Sequence, residues 1–312
     1  MRKNSNFLVK FLLLLVSLNA FPQATGTPYL PLAPQYRLGG PSIETPVSIK
    51  KTADGGYVLL SYSYSNMDGD VSETKKGSVD YWVVKLDAAG RKTWDKRYGG
   101  AGSLLLSSQP QRIQQTTDGG YIVYGYTNVS AAGDVSGVNN GLNDLWIVKL
   151  DSFGNKQWDK IYGGDDNEFG YYIIQTADEG YMAVGSTASS ASGNVTEPDK
   201  GGGDIWVIKL NSAGNLQWDK RLGGNSTDSS RYVQQTSDGG YFIAGATWSS
   251  VSGDVSQPAM GGSDFWVIKL NTAGNKQWDR RFGGSLNDGI SSAQITPDGG
   301  NILAGTSQSS NN

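Results

Sequence analysis

A pair of tryptophans twelve residues apart, returned four times at a near-constant interval, constrains this chain more than anything else in it. Trp82, Trp146, Trp206 and Trp266 recur at spacings of 64, 60 and 60, and Trp94, Trp158, Trp218 and Trp278 follow each by twelve. A turn, Asp54-Gly55-Gly56-Tyr57, returns at Asp118, Asp178 and Asp238, and as Asp298-Gly299-Gly300-Asn301. Gly39-Gly40 returns at Gly99, Gly163, Gly223 and Gly283. The longer spacing is a four-residue insertion between Gly100 and Asp118. A unit this short cannot bury both of its own faces and must bury them on its neighbours.

Each unit reads as four strands. In the third, Tyr171–Gln175 and Tyr181–Thr187 flank a tight turn, and Gly185 falls where only bare backbone fits. After the loop Ala188–Gly203 comes Ile205–Leu210, an apolar run that must be covered on both faces. The turn Asn211–Gly214 leads to Leu216–Leu222, whose Asp219, Lys220 and Arg221 suit an outer edge. Four short antiparallel strands per repeat, marked by Gly and aromatic residues, predict an all-β propeller. Lys85, Lys149, Lys209 and Lys269 fall in the third strand of each unit, where snorkelling to an edge is expected.

Counting tests closure. Four units are whole, at about 44–98, 108–162, 168–222 and 228–282. The last offers two inner strands within 288–308, and the N-terminal segment 29–40 matches two outer strands. Joined, they make a composite fifth blade. The rival reading is a fragment of a longer array.

Composition bounds the chemistry. The 312 residues contain no His and no Cys, so imidazole bases, thiolate nucleophiles, disulfides and thiolate metal sites are excluded. The net charge of −3 is interspersed, which speaks against nucleic acid as a partner. Arg2, Lys3 and Lys10 precede the apolar run Phe11–Val16, with small residues following: the pattern of a signal peptide over 1–20, cleaved near Ala20 or Ala24. A short membrane anchor is the other reading, although the run is too short to span a bilayer. The expectation is an exported, extracytoplasmic, monomeric propeller over 21–312 with no transmembrane segment.

The string Asp204-Ile205-Trp206-Val207-Ile208-Lys209-Leu210-Asn211-Ser212-Ala213-Gly214-Asn215, with Trp218 and Gly223-Gly224 after it, resembles the roughly 60-residue propeller repeat of secreted Bacteroidota proteins. Gln235–Tyr241 and Gly253-Asp254-Val255-Ser256 add to the likeness, which covers nearly all of residues 35–308. The resemblance implies a five-bladed propeller exported from a Gram-negative cell. Members of that group often carry a sorting domain for type IX secretion, and some are named endoglucanase-like or lipoprotein by similarity. This chain departs from the pattern in showing neither a sorting domain nor a Cys for a lipid anchor. A weaker likeness, in Leu150–Trp158, is to the docking strand of quinoprotein propellers.

Three sets of residues are candidates for chemistry. Glu44, Glu168, Asp228 and Asp288 stand four residues after a Gly pair. As a ring on one face they could bind a polar ligand or Ca²⁺, or, through Glu168 and Asp228, hydrolyse a glycoside; alternatively each caps a turn. The inserted unit offers nothing equivalent near Ser103–Ser108. Asp70, Asp134 and Asp254 open a loop mark and are weak Ca²⁺ candidates beside a turn reading, with Asn194 in the same place. Trp248 occurs once, at the end of a second strand, and is the best candidate for stacking on a sugar, against the alternative of one more packing residue. The other tryptophans, repeated in every unit, read as inter-blade wedges. The function expected is a non-enzymatic binding or adhesion module for glycans or protein partners, with no cofactor beyond Ca²⁺. A carbohydrate-active hydrolase and a scaffold domain of a larger secreted protein are the alternatives.

Overall fold

The computed structural model describes residues 35–100, 112–296 and 299–309. The segment 1–20, read above as a signal peptide, the segment 29–34 and Ser103–Ser108 lie outside those residues. Among the described residues every regular element is a strand, and no helix is long and apolar enough to cross a membrane. All of these strands belong to one compact unit that begins at Arg37.

Sheet 1 holds β1 (Glu44–Lys51), β2 (Tyr57–Ser63), β3 (Asp80–Leu86) and β4 (Lys92–Tyr98). Sheet 2 holds β5 (Arg112–Gln115), β6 (Tyr121–Thr127), β7 (Asp144–Leu150) and β8 (Lys156–Tyr162). Sheet 3 holds β9 (Glu168–Gln175), β10 (Tyr181–Thr187), β11 (Asp204–Leu210) and β12 (Leu216–Leu222). Sheet 4 holds β13 (Asp228–Gln235), β14 (Tyr241–Thr247), β15 (Asp264–Leu270) and β16 (Lys276–Phe282). Sheet 5 has only β17 (Asp288–Ile295) and β18 (Asn301–Ser307). Strands follow chain order in each sheet and all ladders are antiparallel, a propeller-like arrangement.

The sheets pack face to face in chain order because each central strand is apolar on both sides. Val58, Leu60 and Tyr81 of sheet 1 meet Val123, Trp146 and Val148 of sheet 2. The other face of sheet 2, with Ile122, Tyr124 and Ile147, meets Tyr181, Trp206 and Ile208 of sheet 3. Sheets 3 and 4 repeat the contact through Val184, Val207, Ile243 and Trp266. Sheet 5 closes on sheet 4 through Ile290 and Ala293. Its own second strand, with no third strand beside it among the described residues, is largely exposed. First strands pack in succession, β1 on β5, β5 on β9, β9 on β13 and β13 on β17, and so form the inner edge.

The repeated residues are structural. Each core Trp donates its Nε1–H to the aspartate at the middle of the fourth strand: Trp82 to Asp95, Trp146 to Asp159, Trp206 to Asp219 and Trp266 to Asp279, at 2.8–3.0 Å. The second Trp is the wedge. The Trp158 ring sits so close over Gly214 of the next sheet that a Cβ there would come within 2.7 Å of it, and Trp218 lies on Gly274 in the same way. Both hairpin glycines also hold φ near +80° (76° and 80°). In the second strands, a Cβ on Gly185 would meet Phe169 O at 2.4 Å, so bare backbone is required there.

One expectation is corrected. The four strand lysines do not snorkel: Lys85, Lys149, Lys209 and Lys269 are buried. They donate to the turn aspartates Asp54, Asp118, Asp178 and Asp238 respectively, and each also donates to the carbonyl of the residue after it. The ammonium reaches the sheet end but stops under an exposed turn aspartate, which supplies the counter-charge in place of water. Residues 35–40 form no ladder with a described residue, and the strand expected beside them falls within 29–34. The end of this segment still docks as an outer strand does: Gly39 N donates to Asp70 Oδ2, and Gly39 O accepts from Asp70 N, both at 3.0 Å.

Candidate functional site

The acids after the Gly pairs do not form a ring around an opening. Each is the first residue of an inner strand and turns back into its own loop. Glu168 is fully buried and accepts from Gly164 N at 2.8 Å and from the hydroxyls of Thr187 and Ser189 at 2.6 Å. Asp228 is fully buried and accepts from Gly224 N at 2.8 Å and Ser249 Oγ at 2.9 Å. Glu44 takes Gly40 N, Ser63 Oγ and Ser65 Oγ, and Asp288 takes Gly284 N and Ser309 Oγ. Burial pushes the Glu168 and Asp228 carboxyls up, against the pull of those donors. This is the turn-capping geometry, with each acid occupied by its own sheet.

The loop acids are occupied too. Asp134 accepts from Gly99 N at 3.0 Å and pairs with Lys76 at 2.7 Å; Asp254 accepts from Gly223 N at 3.1 Å and pairs with Lys200 at 2.6 Å. With Asp70 on Gly39 and Asn194 on Gly163, each loop hooks the Gly pair that precedes its own sheet. Among the described residues no three carboxylates gather at one point, whereas Ca²⁺ takes six to eight oxygens. Trp248 follows β14 and is 45% exposed at the loop edge, with its backbone N–H on Thr227 O.

One acid breaks the pattern. Arg97, Arg221 and Arg281, all sealed from solvent, pair through Nε with Asp80, Asp204 and Asp264 at 2.5–2.6 Å. Ile161 takes the arginine's place in sheet 2 and leaves Asp144 buried without a cation. Burial pushes Asp144 up to about 6, with the Asn140 N–H pulling against it. Burial lifts Asp204 as well, there opposed by Arg221.

The residues that gather around an opening include two columns the repeat does not hold constant, beside the repeated Gln115, Gln175 and Gln235. Ladder pairing aligns Ser48, Arg112, Tyr172, Tyr232 and Ser292 on the inner strands. Two positions on stand Lys50, Gln114, Ile174, Gln234 and Gln294. A cavity of about 360 Å³ lies between β1, β5 and β9, with Lys50 and Arg112 among its lining. A second, of about 550 Å³, continues past β13 to β17 and is rich in glutamine. Gln114, Tyr172 and Ile174 border both. The Arg112 guanidinium lies 4.8 Å from the centre of the Tyr172 ring, and Tyr172 meets Tyr232 edge-on at 5.0 Å. Burial, then the charge of Arg112, pulls Lys50 below the ordinary ammonium value. Burial and the neighbouring Tyr172 push Tyr232 up to about 12.

None of the residues in these two columns stands out from spacing, because spacing picks out what repeats. The signal that marks them is the opposite: one column of the repeat reads Ser, Arg, Tyr, Tyr, Ser, while the column after it stays apolar as Ile49, Ile113, Ile173, Val233 and Ala293.

No family model matches the chain. The regulatory protein FlaEY of Caulobacter vibrioides is 26% identical over 299 residues, covering 87% of this chain and 30% of that protein. The chain thus spans less than a third of that curated relative's length. Among solved structures, a protein of unknown function from Bacteroides caccae is similar at 11% identity with a TM-score of 0.26, over 76% of this chain and 81% of that one. A Synechocystis apocarotenoid oxygenase is similar at 10% identity with a TM-score of 0.36, over 78% of this chain and 52% of that one. At those scores neither structural likeness carries an argument about this chain.

Proposed function

We propose that this chain is a non-enzymatic binding module for glycans or other polar surface partners, built as a five-bladed propeller of the kind secreted by Bacteroidota and exported through its N-terminal segment 1–20. The carrying observation is the division of labour among its polar residues. The acids that follow the repeat are spent on turns and lysines, while the residues that escape the repeat meet at the inner edge. Binding sites commonly lie in such concave places, and a repeated scaffold tolerates variation there. In this reading 29–40 completes the fifth blade with β17 and β18. A hydrolase would need two carboxylates at one opening, and Glu168 and Asp228 are enclosed by their own loops. The alignment with one segment of a longer regulatory protein favours a second reading, an interaction domain within a larger assembly.

The test is retention of purified residues 21–312 on a panel of plant and microbial polysaccharides, with and without Ca²⁺, scored together with reducing-end release. Retention without release supports the binding module. Release replaces it with the hydrolase, and silence in both favours a protein partner.

A further inference from the structure

We infer that the inner-edge cavity takes a carboxylate-bearing saccharide, its acid group on Lys50 and Arg112 and its hydroxyls toward the glutamines; this deepens the binding reading above and rests on it. Three cationic residues line one small space, Lys50, Lys51 and Arg112, and of these Lys51 is exposed. Lys50 is half-buried, and Arg112 is half-buried with its Nε enclosed and without a hydrogen-bond partner. Among the described residues no Asp or Glu lines either cavity. The segment 101–111, which precedes β5, carries no acid either. The buried cations of the repeat frame, in contrast, each have a carboxylate: Lys149 has Asp118, Lys209 has Asp178 and Arg221 has Asp204. Like charges held together in a partly desolvated place raise the energy of the unliganded protein, and an anion relieves it. Arg112, held against the Tyr172 ring, carries the planar fork that suits a carboxylate.

The adjoining space sets the rest of the ligand. Gln114 and Gln294 each carry a donor and an acceptor, as sugar hydroxyls do; Gln234, whose Oε1 accepts from Tyr232 and from Ile295 N, adds its amide donor, and Tyr172 and Tyr232 offer apolar ring surface between the amides. A bare inorganic anion uses only the first space, and a neutral sugar only the second. A chain of uronic acid residues uses both.

The test is isothermal titration of residues 21–312 with trigalacturonate, cellotriose and sodium sulfate, for the native chain and for Arg112→Gln, Lys50→Gln and the distant control Lys160→Gln. Trigalacturonate is expected to bind at least about ten-fold more tightly than either of the others, and to weaken about ten-fold with each inner-edge substitution but not with the control. Its affinity should also fall as salt is raised, a readout that needs no variant. Equal binding of cellotriose, or indifference to Arg112→Gln in a protein with native circular dichroism, overturns the acidic-ligand inference while leaving the binding module standing. Sulfate binding as tightly as trigalacturonate, both lost in Arg112→Gln, overturns the saccharide and with it the glycan reading.

Discussion

Arg221 Nε lies 2.5 Å from Asp204 Oδ2 with both side chains closed to solvent, and in the neighbouring sheet the corresponding residues are Ile161 and Asp144. The pair fixes the fourth strand against the start of the third. Arg221 also donates to Ser189 O at 2.7 Å, which ties the long loop to the same point. Sheet 2 makes the same fold with an aliphatic residue there.

The burial of Asp144 gives a pH dependence. The folded-state pKa of Asp144, about 6, lies above its unfolded value, so the folded chain holds the proton more tightly. The contribution favours folding below the unfolded pKa, declines as pH rises toward about 6, and is flat above it. Asp144→Asn is expected to raise stability by about 1–3 kcal/mol at pH 7.5 and to leave it nearly unchanged at pH 4. Guanidinium titrations at both pH values measure it; equal effects at the two would count against the assignment.

Removing an arginine from a complete pair is the converse experiment. Arg221→Met strands Asp204 in the interior and is expected to cost about 3–5 kcal/mol. Ile161→Met, at the matching position of sheet 2, should cost less than about 1.5 kcal/mol. Urea midpoints of the two variants decide it.

The wedge tryptophans differ by position alone. Trp218 packs on Gly274 and Tyr241, whereas Trp278 has no complete sheet beyond it among the described residues and is 38% exposed. Trp218→Ala should cost about 3–5 kcal/mol, and Trp278→Ala about 1 kcal/mol or less. Similar losses at both sites, read by differential scanning calorimetry, would mean that the wedge is not what holds adjacent sheets.

Glu168→Gln tests the hydrolase alternative directly. It keeps the shape but weakens the contacts to Gly164, Thr187 and Ser189, so a stability loss of about 1–3 kcal/mol is expected. Polysaccharide retention should survive in the folded variant. Loss of a measurable reducing-end release in a folded, stable Glu168→Gln would restore a catalytic role.

Trp248 is the exposed counterpart. Trp248→Ala should leave the unfolding midpoint within about 0.5 kcal/mol of the native chain, because the ring is on the surface. A fall in retention without a fall in stability, by affinity electrophoresis, is the expected result if the ring stacks on sugar.

The repeat is legible because its spacing is visible in one dimension. From it come four-stranded units, their turns, the wedge tryptophans and the glycines that must lack a Cβ, such as Gly185. Strand ends differ little: β9 starts at Glu168 rather than Tyr171, since a bulge between Val184 and Gly185 lets the chain pair three residues further. The burial of the third-strand lysines is not legible. An apolar flank on both sides does not reveal that the aspartate of the preceding turn, such as Asp178 for Lys209, folds back onto the ammonium.

The division into four-stranded units and the place of their turns, wedge tryptophans and bare-backbone glycines were therefore determined by the sequence alone, through periodic burial and turn chemistry, whereas the use of the lysine and acid columns was not. Which polar groups face an opening was decided only in three dimensions. Lys50 and Arg112 are 62 residues apart in the chain, and Tyr172 follows 60 later. They meet because the inner strands of successive sheets converge, and convergence is a property of how twisted sheets pack, which no local spacing records.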